Sequence, residues 1–339
     1  MGRIHESRCC ARACCGRGYV LVVTLWVMAV LSVTVAVMSY EVRVGTALER
    51  RSLDHSMLRL AGRGLIHTAA AHIRAHARDE ANGPADKWWS SEELYHDQPI
   101  GEASVSLLRE AAEDDSPAYG MDDEESRLNI NVAEPEHLMA FPGISTVLAE
   151  SIARYRRERE DEAKESKAVA PAETATGADD GDGDGDGDEP RLVDGPITTL
   201  SELLNVEGMS ERLLFEGRED GGPPLATLLT CISSGRININ SAPEAVLTAA
   251  GLNEGQMNLV MSQRRQGVVY RSLDEVQSAL GIDAQGTAWE HLKRILAVRS
   301  NTFRLHAVAV LPGREVERNV AATAFVGEGQ LGFVRWREY

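Results

Sequence analysis

The stretch GYVLVVTLWVMAVLSVTVAVMSY, residues 18–40, decides the first part of the fold because it carries no charged side chain. A helix rises about 1.5 Å per residue, so the stretch is long enough to cross a hydrocarbon core of roughly 30 Å. It is also longer than the apolar region of about 7–15 residues in a cleaved secretory signal. It therefore predicts a transmembrane helix over residues 19–40.

The charges that flank this stretch predict its orientation. The leader before it carries the basic and acidic side chains Arg3, Arg8, Arg12, Arg17 and Glu6. Because an excess of arginine and lysine stays on the cytoplasmic side of a membrane, the N-terminus is expected in the cytoplasm. The body that begins at Glu41 is then expected on the far side. A plain N-terminal anchor would satisfy the same pattern.

The composition indicates a globular body that is not directed at nucleic acid. The chain has 339 residues, of which 43% are hydrophobic, and a net charge of −17. That length suffices for one large or two smaller domains, and the negative charge repels phosphate backbones. Four cysteines lie in the leader, at a spacing unlike that of a standard zinc finger: Cys9, Cys10, Cys14 and Cys15. The body keeps only Cys231, so it cannot form an internal disulfide.

Hydrophobic periodicity in the body predicts a long helix and a few strands. Apolar residues at helical spacing continue to about residue 73, and a strand is predicted over residues 98–108. An acidic, turn-rich stretch follows at residues 113–125. Alternating residues near the C-terminus predict strands at 303–309, 319–326 and 331–336. The fold class is therefore α+β, with a long N-terminal helix packed on a small antiparallel sheet.

An internal repeat lies between these two groups of strands. The sequence NINVAEP at residues 129–135 returns as NINSAP at residues 238–243. Asn131 and Ser241 are predicted to cap helices that the following prolines begin, since short polar side chains accept hydrogen bonds from the first helical amides. Each copy then reaches a pair of arginines, Arg156-Arg157 or Arg264-Arg265.

Three glycines are predicted to turn the chain between paired helices, because glycine adopts a positive φ without strain. They are Gly143, Gly208 and Gly251. The units resemble helix-hairpin-helix (SAM-like) motifs, which in many proteins hold DNA phosphate on turn amides. The strands on both sides of this region predict that it is a large all-α domain inserted into the helix-plus-sheet domain.

The segment 158–194 is polar and poor in apolar residues, which predicts an acidic loop without a core. Its carboxylates alternate with glycine, as in the first half of a calcium loop: Asp180, Asp182, Asp184, Asp186 and Asp188. The twelfth position is Arg191 or Val193, where such a loop has a glutamate. The segment is either a solvated linker or a calcium site, and calcium is the one cofactor that the sequence suggests.

The junction at Gly18 resembles the processing site of type IV pilins and type II secretion pseudopilins. A basic leader ends in Gly18, the aromatic Tyr19 follows, and the apolar helix begins at once. The resemblance implies that a prepilin peptidase cuts after Gly18 and leaves a methylated Tyr19 as the new terminus. The fifth residue of the mature chain would be Val23, where most pilins carry a glutamate. In this departure the chain resembles the protein K family of type II secretion.

The resemblance to the protein K family covers most of the mature chain and implies a function. Such a minor pseudopilin caps the pseudopilus tip with minor pseudopilins I and J and assists the export of folded proteins across the outer membrane. It crosses the inner membrane once, with a cytoplasmic N-terminus and a periplasmic body. The implied segments are a cleaved leader (1–18), a transmembrane helix (19–40), a pilin-like helix with the first strands (41–126), the inserted helical domain (127–299) and C-terminal strands (300–339).

A membrane-anchored DNA receptor of a competence-type uptake system is the alternative, since it would also carry hairpins. A DNA-binding hairpin usually reads Pro-Gly-Ile-Gly, whereas residues 142–145 read Pro-Gly-Ile-Ser and Glu211 and Glu254 follow the other turns. A structural insert is therefore favoured, and nucleic acid is not expected as a partner. The chain has no Gly-x-Ser-x-Gly, Gly-x-x-x-x-Gly-Lys or His-Glu-x-x-His motif, so an enzyme is not expected and no catalytic or cofactor-binding residue is assigned.

Overall fold

A computed structural model describes residues 16–110, 118–169, 192–193, 195–217, 222–314, 316–327 and 330–338. The chain divides into two compact units, Met1–Met57 and Leu58–Tyr339. The helices are α1 (Gly16–Ala75), α2 (Glu92–Tyr95), α3 (Pro135–Met139), α4 (Thr146–Val169), α5 (Leu225–Leu228), α6 (Glu244–Ala249), α7 (Glu254–Arg265), α8 (Leu273–Leu280) and α9 (Thr287–Ile295). A 3-10 turn at Glu124–Ser126, a second at Leu200–Asn205 and a π-helical turn at Arg212–Glu216 add to them.

The strands fall into one large sheet and two short pairs. They are β1 (Gln98–Ile100), β2 (Ala103–Arg109), β3 (Ala118–Tyr119), β4 (Asp122–Asp123), β5 (Leu128–Asn129), β6 (Leu229–Thr230), β7 (Ile237–Asn238), β8 (Leu296–Ala297), β9 (Thr302–Val310), β10 (Glu317–Gly327) and β11 (Gln330–Glu338). The large sheet has the order β1-β2-β9-β10-β11, with β3 on β2 and β4 on β9, and its pairs are antiparallel. Because β2 pairs directly with β9, residues between β4 and β9 are an excursion from this sheet.

Helix α1 carries the apolar stretch in the first unit. Side chains from residue 19 to residue 40 are exposed, and the mean hydropathy of the most apolar window is 2.6. Valine is a poor helix former in water, but a spanning segment in lipid must satisfy its backbone groups internally, which favours a helix. Among the described helices, α1 is the one long and apolar enough to cross a membrane.

The last turns of α1 belong to the second unit and pack against its sheet. Leu58, Ile66 and Ile73 lie on one helix face and are fully buried. A Cβ atom at Gly62 would lie 3.0 Å from Cγ2 of Val320 in β10. Glycine at this position therefore lets the helix backbone approach the sheet closely.

The predicted strand over residues 98–108 is a hairpin of β1 and β2. Gly101 has a φ of +65°, so the chain reverses between Ile100 and Ala103. The apolar residues alternate from Ala103 onward, and the three-residue step from Ile100 to Ala103 is where the chain reverses. The three C-terminal strands agree with the prediction as β9, β10 and β11.

The excursion between β4 and β9 is mainly helical and has its own apolar core. Its fully buried side chains include Ile130, Leu138, Leu203, Ile239 and Leu247. This helical region also contains two short parallel strand pairs, β5 with β6 and β7 with β8, in which each strand is two residues long.

Helix α4 continues through residues 158–169, which the sequence analysis placed in the acidic loop. Arg159 pairs with Glu162 at 2.8 Å, and Lys164 pairs with Glu160 at 3.0 Å. Ion pairs three or four residues apart stabilise a solvated helix, so this segment needs no apolar face to remain helical.

Candidate functional site

The first asparagine of each repeat closes a local turn and anchors a distant serine. Asn129 Oδ1 accepts the amide of Asn131 at 2.9 Å, and its Nδ2 donates to Ser233 Oγ at 3.1 Å. In the second copy, Asn238 Oδ1 accepts the amide of Asn240 at 2.9 Å, and its Nδ2 donates to Ser300 Oγ at 2.7 Å. The two copies therefore make the same contacts in space.

The second asparagine of each repeat ties its hairpin to two other segments. Asn131 Nδ2 donates to the carbonyls of Ile197 (2.9 Å) and Cys231 (3.1 Å), and its Oδ1 accepts the amide of Ile197 at 3.0 Å. These bonds use both donors and the acceptor of the side-chain amide.

Asn240 repeats this arrangement with partners that are equivalent in space. Its Nδ2 donates to the carbonyls of Tyr270 (2.9 Å) and Val298 (3.0 Å), and its Oδ1 accepts the amide of Tyr270 at 2.9 Å. The repeat thus encodes two asparagine crosslinks, one by the buried Asn240 and one by the half-buried Asn131.

The predicted caps at Asn131 and Ser241 are wrong. Helix α3 begins at Pro135 with Glu134 as its cap residue, and α6 begins at Glu244 after Pro243. The Asn131 side chain is directed at Ile197 and Cys231, and the Ser241 hydroxyl donates to Asp123 Oδ2. Local spacing suggested a cap because it cannot show which distant groups compete for the same side chain.

The first arginine of each pair serves the hairpin itself. Arg156 Nη1 donates to the carbonyls of Ile130 (3.1 Å) and Ala133 (2.7 Å), and Arg264 Nη1 donates to the carbonyl of Ala242. Guanidinium groups used in this way are not directed at an external phosphate. The first arginine of each pair is therefore a structural residue of its own repeat.

The three turn glycines adopt left-handed backbone conformations. Gly143 and Gly208 have a φ of +92°, and Gly251 has a φ of +100°. A nearby side chain accepts one amide after each turn: Ser145 Oγ that of Leu148 at 3.2 Å, Ser210 Oγ that of Leu213 at 3.2 Å, and Asn253 Oδ1 that of Gln256 at 3.0 Å. These amides already have acceptors within the protein, which weakens the case for phosphate binding at the turns.

Four consecutive carboxylates, at the end of the stretch that the sequence marked as acidic and turn-rich, are buried. Asp122, Asp123, Glu124 and Glu125 are at most 5% exposed. They form β4 and the 3-10 turn where the chain leaves the sheet for the helical excursion. Carboxylates are usually exposed at protein surfaces. Buried carboxylates are tolerated when other groups in the fold supply hydrogen bonds or opposite charges.

Glu125 joins the ends of both repeat copies. Its Oε1 accepts the amide of Ser234 at 3.2 Å, and its Oε2 accepts the amides of Asn301 at 2.5 Å and Thr302 at 3.0 Å. The Thr302 hydroxyl also donates to Oε1 at 3.2 Å. Burial nevertheless raises the pKa of Glu125 above its usual range. One carboxylate thus connects the loop after β6 with the start of β9.

Asp123 lies beside Glu125 and accepts hydrogen bonds from two serines of the second repeat copy. Its Oδ2 accepts from Ser241 and from Ser300 Oγ (2.6 Å), and its Oδ1 accepts the Glu125 amide at 2.8 Å. Burial, with a contribution from the charge of Glu125, raises the pKa of Asp123 to about 7. This aspartate therefore titrates near neutral pH.

Glu124 points to a different set of partners. Its Oε1 lies 3.1 Å from Nε of Arg304 and 3.7 Å from Nη1 of Arg127, and its Oε2 accepts from Thr230 Oγ1 at 2.5 Å. Burial acts to raise the pKa of Glu124, but the two guanidinium groups and Thr230 hold that pKa below its usual range. Three neighbouring carboxylates thus hold separate parts of one junction, and the sequence marked none of them.

The remaining predicted site residues fall in two places. Gly18 and Tyr19 lie in the first turns of α1. Asp180, Asp182, Asp184, Asp186 and Asp188 lie outside the described residues. Within the described ranges, no group of three or more His, Cys, Asp or Glu side chains is placed to hold a metal ion.

No protein-family model and no curated protein sequence matches the chain. A solved structure does match it: a chain of the GspK-GspI-GspJ complex from the type 2 secretion system of enterotoxigenic Escherichia coli. The match covers 90% of this chain and 99% of that one, at 15% identity and a TM-score of 0.50. This chain has a GspK-like fold. The α+β architecture and the resemblance to the protein K family are thereby confirmed at the level of the fold.

A long N-terminal helix, an antiparallel sheet and a helical excursion are present in one polypeptide. The long apolar helix is compatible with a single-pass membrane anchor. The similar structure is a component of a secretion system.

Proposed function

We propose that this chain is a minor pseudopilin of a type II protein secretion system. The observation that carries the proposal is the continuity of α1 from the Gly18-Tyr19 junction through the apolar stretch to the turns that pack on a pilin-like sheet. The protein would be anchored in the inner membrane with a periplasmic body. A role in the export of folded proteins is part of the proposal.

A position at the tip of the pseudopilus is supported by Val23. In pilin-like filaments, the glutamate at the fifth mature position is thought to pair with the terminal amine of the neighbouring subunit. A subunit with valine there lacks that acceptor, while its own amine can still meet a partner's glutamate. Such a subunit can begin an assembly, but it cannot be added beneath an identical copy in the usual way.

The expected partners are minor pseudopilins I and J. We expect the processed full-length chain in detergent to form an equimolar complex with them and to remain monomeric alone. Size-exclusion chromatography with light scattering measures the stoichiometry of the complex and the oligomeric state of the chain alone. A Val23→Glu variant, which supplies the missing acceptor, should gain self-association, whereas Val22→Glu should not.

Two results would contradict the tip assignment. One is self-assembly of the unaltered processed chain into homopolymers, and the other is no association with either partner. A complex with duplex DNA in the same assay, weakening steeply with salt, would instead favour the competence-type receptor.

Processing by prepilin peptidase gives an independent test of the pseudopilin assignment. We expect the mature protein to lack residues 1–18 and to begin at an N-methylated Tyr19, because the glycine junction is the feature the peptidase would read. Intact-mass measurement on membrane-extracted protein determines the terminus. Gly18→Val should block the cut, and Gly16→Val should not. A mature terminus at Met1 or within the apolar stretch would be inconsistent with this assignment.

We further propose that the aspartate run 180–188 binds calcium. Added calcium should then raise the melting temperature of the detergent-solubilised chain, because a ligand of the folded state stabilises it by mass action. Replacing Asp182, Asp184 and Asp186 with asparagine should remove the shift. The matched control replaces Asp274 and Asp283 and should retain the shift. An unchanged melting temperature at about 1 mM calcium would identify the run as a solvated linker.

A further inference from the structure

A cavity of about 390 Å³ lies between the large sheet and the helical excursion. The side chains of Val320 in β10 and Ala307 in β9 face Gly62 of α1. The cavity is lined by the residues next to them along each strand, whose side chains point to the opposite face of the sheet. The cavity is therefore on the sheet face turned away from α1. Its floor is formed by the small side chains of Ala321 and Thr323 in β10. The volume is within the range of roughly 300–1,000 Å³ that is typical of ligand sites.

Basic side chains flank this floor in two cross-strand rows. Arg304, Thr323 and Arg335 are in register across β9, β10 and β11. His306, Ala321 and Arg337 form the next row. The central strand contributes only small residues, so a trough runs between the arginines of the outer strands.

The charges around the trough are only partly balanced. Glu110 lies 2.7 Å from Arg304 and 3.6 Å from Arg127, and Glu124 contacts the same two arginines. These four groups neutralise one another. They leave Arg335 and Arg337 as the unbalanced charges.

Arg335 donates to the carbonyl of Thr198 at 2.6 Å. In the part of the chain that the structure describes, neither Arg335 nor Arg337 has a carboxylate within 4.0 Å. The cavity therefore carries an excess of positive charge in a protein whose net charge is −17.

The strand that carries Arg335 and Arg337 is the edge of the sheet. Strand β11 pairs with β10 alone, and among the described residues no other backbone hydrogen bond reaches it. An open edge can pair with one more extended segment. Side chains two residues apart on a strand share a face and are separated by about 7 Å, so the two arginines present guanidinium groups at the spacing of alternate residues on an added strand.

We propose that β11 and the adjoining cavity bind an extended acidic peptide segment supplied by another protein, with carboxylates at alternate positions. The two guanidinium groups would each receive one carboxylate, for which their planar fork is suited, and opposite charges across neighbouring strands stabilise pairing. Phe215, which is 42% exposed at the cavity, and Leu200 offer an apolar surface for the rest of the segment. This inference does not rest on the proposed function.

Synthetic peptides of equal charge test the spacing directly. The probe is acetyl-Thr-Glu-Thr-Glu-Thr-amide, and its isomer with adjacent glutamates, acetyl-Thr-Glu-Glu-Thr-Thr-amide, is the matched control. Isothermal titration with the full-length chain in detergent, at about 0.15 M salt where distant charges are screened, gives both dissociation constants. We expect the alternating peptide to bind about tenfold more tightly, the difference of one charge-assisted contact.

Variants test the location. The double change Arg335→Gln and Arg337→Gln should weaken binding of the alternating peptide by at least about tenfold, whereas Arg157→Gln and Arg265→Gln on exposed helix surfaces should leave it unchanged. Ala321→Leu retains every charge but fills the trough, and it should weaken binding as well. Melting temperatures near that of the unaltered chain would show that the variants fold.

Three results would overturn the proposal. Equal binding of the two peptides would show general electrostatic attraction. Unaltered binding in the double arginine variant or in Ala321→Leu would place the peptide elsewhere. The third result is tighter peptide binding after Asp182, Asp184 and Asp186 are replaced with asparagine. It would show that the chain's own aspartate run competes with the peptide for this site, so the natural ligand would not be supplied by another protein.

Discussion

Replacing Glu125 with alanine is expected to lower the free energy of unfolding by about 4 kcal/mol, because it leaves two buried amides and one half-buried amide without an acceptor. Those amides belong to Ser234, Asn301 and Thr302, in the loop after the first repeat copy and at the start of β9. Each unsatisfied buried donor costs about 1–3 kcal/mol, and water entering the vacated space recovers part of the total. Chemical denaturation of the detergent-solubilised chain, followed by tryptophan fluorescence, measures the change.

Two other substitutions separate the hydrogen bonds from the charge. Glu125→Gln keeps one acceptor oxygen and the side-chain shape, so it should cost less than half as much as Glu125→Ala. Glu158→Ala, at an exposed position of α4, should change the free energy by less than about 0.5 kcal/mol. A loss below about 1 kcal/mol in Glu125→Ala would mean that this carboxylate does not hold the junction.

The protein is expected to lose stability as the pH rises from about 4 to about 7, owing to Asp123. The pKa of Asp123 in the folded protein is raised to about 7, from 3.8 in the unfolded chain, so the folded state retains the proton through this window. Stability that depends on a proton held in the folded state is present at low pH and is lost as the pH rises through the folded pKa. A difference of this size corresponds to a few kcal/mol, or roughly 1.4 kcal/mol per pKa unit.

Asp123→Asn should abolish the part of this pH dependence that Asp123 contributes, whereas Glu125, whose pKa burial also raises, retains its own part in the variant. Asparagine resembles the protonated aspartate, and the hydroxyls of Ser241 and Ser300 can reorient to accept its amide hydrogens. Melting temperatures of both proteins should agree within about two degrees at about pH 4, and the variant should be the more stable at pH 8. His137, whose pKa is lowered by burial and by the charge of His291, acts in the opposite direction in both proteins and cancels in the comparison. Parallel pH profiles would contradict the assignment.

Elements with a strong local signal were predictable from the sequence. The apolar stretch has one stable conformation in lipid, and the alternation in β9, β10 and β11 follows from burial of one sheet face. The turn glycines Gly143 and Gly251 were recognisable because few residues other than glycine tolerate a positive φ. The repeated Asn-Ile-Asn motif showed that one unit is used twice, although it did not show what the asparagines bind.

The roles of the polar residues depended on partners far away in the chain. Asn131 caps no helix because Ile197 and Cys231 occupy its amide, and Arg156 and Arg264 serve backbone carbonyls of their own repeats. Nothing in the local sequence distinguishes these side chains from exposed polar ones.

The sequence by itself determined the long apolar helix, the α+β class and the repeat, because each depends on hydrophobic periodicity or turn chemistry within a short window. Only the tertiary structure decided that residues 122–125 are buried and that Arg335 and Arg337 line a trough at the sheet edge. Whether a carboxylate or a guanidinium is exposed, satisfied or unbalanced depends on donors, acceptors and charges that the fold brings together across more than a hundred residues. Whether a charged group can be buried therefore depends on the donors, acceptors and charges around it in the folded protein, and not on the residues next to it in the sequence.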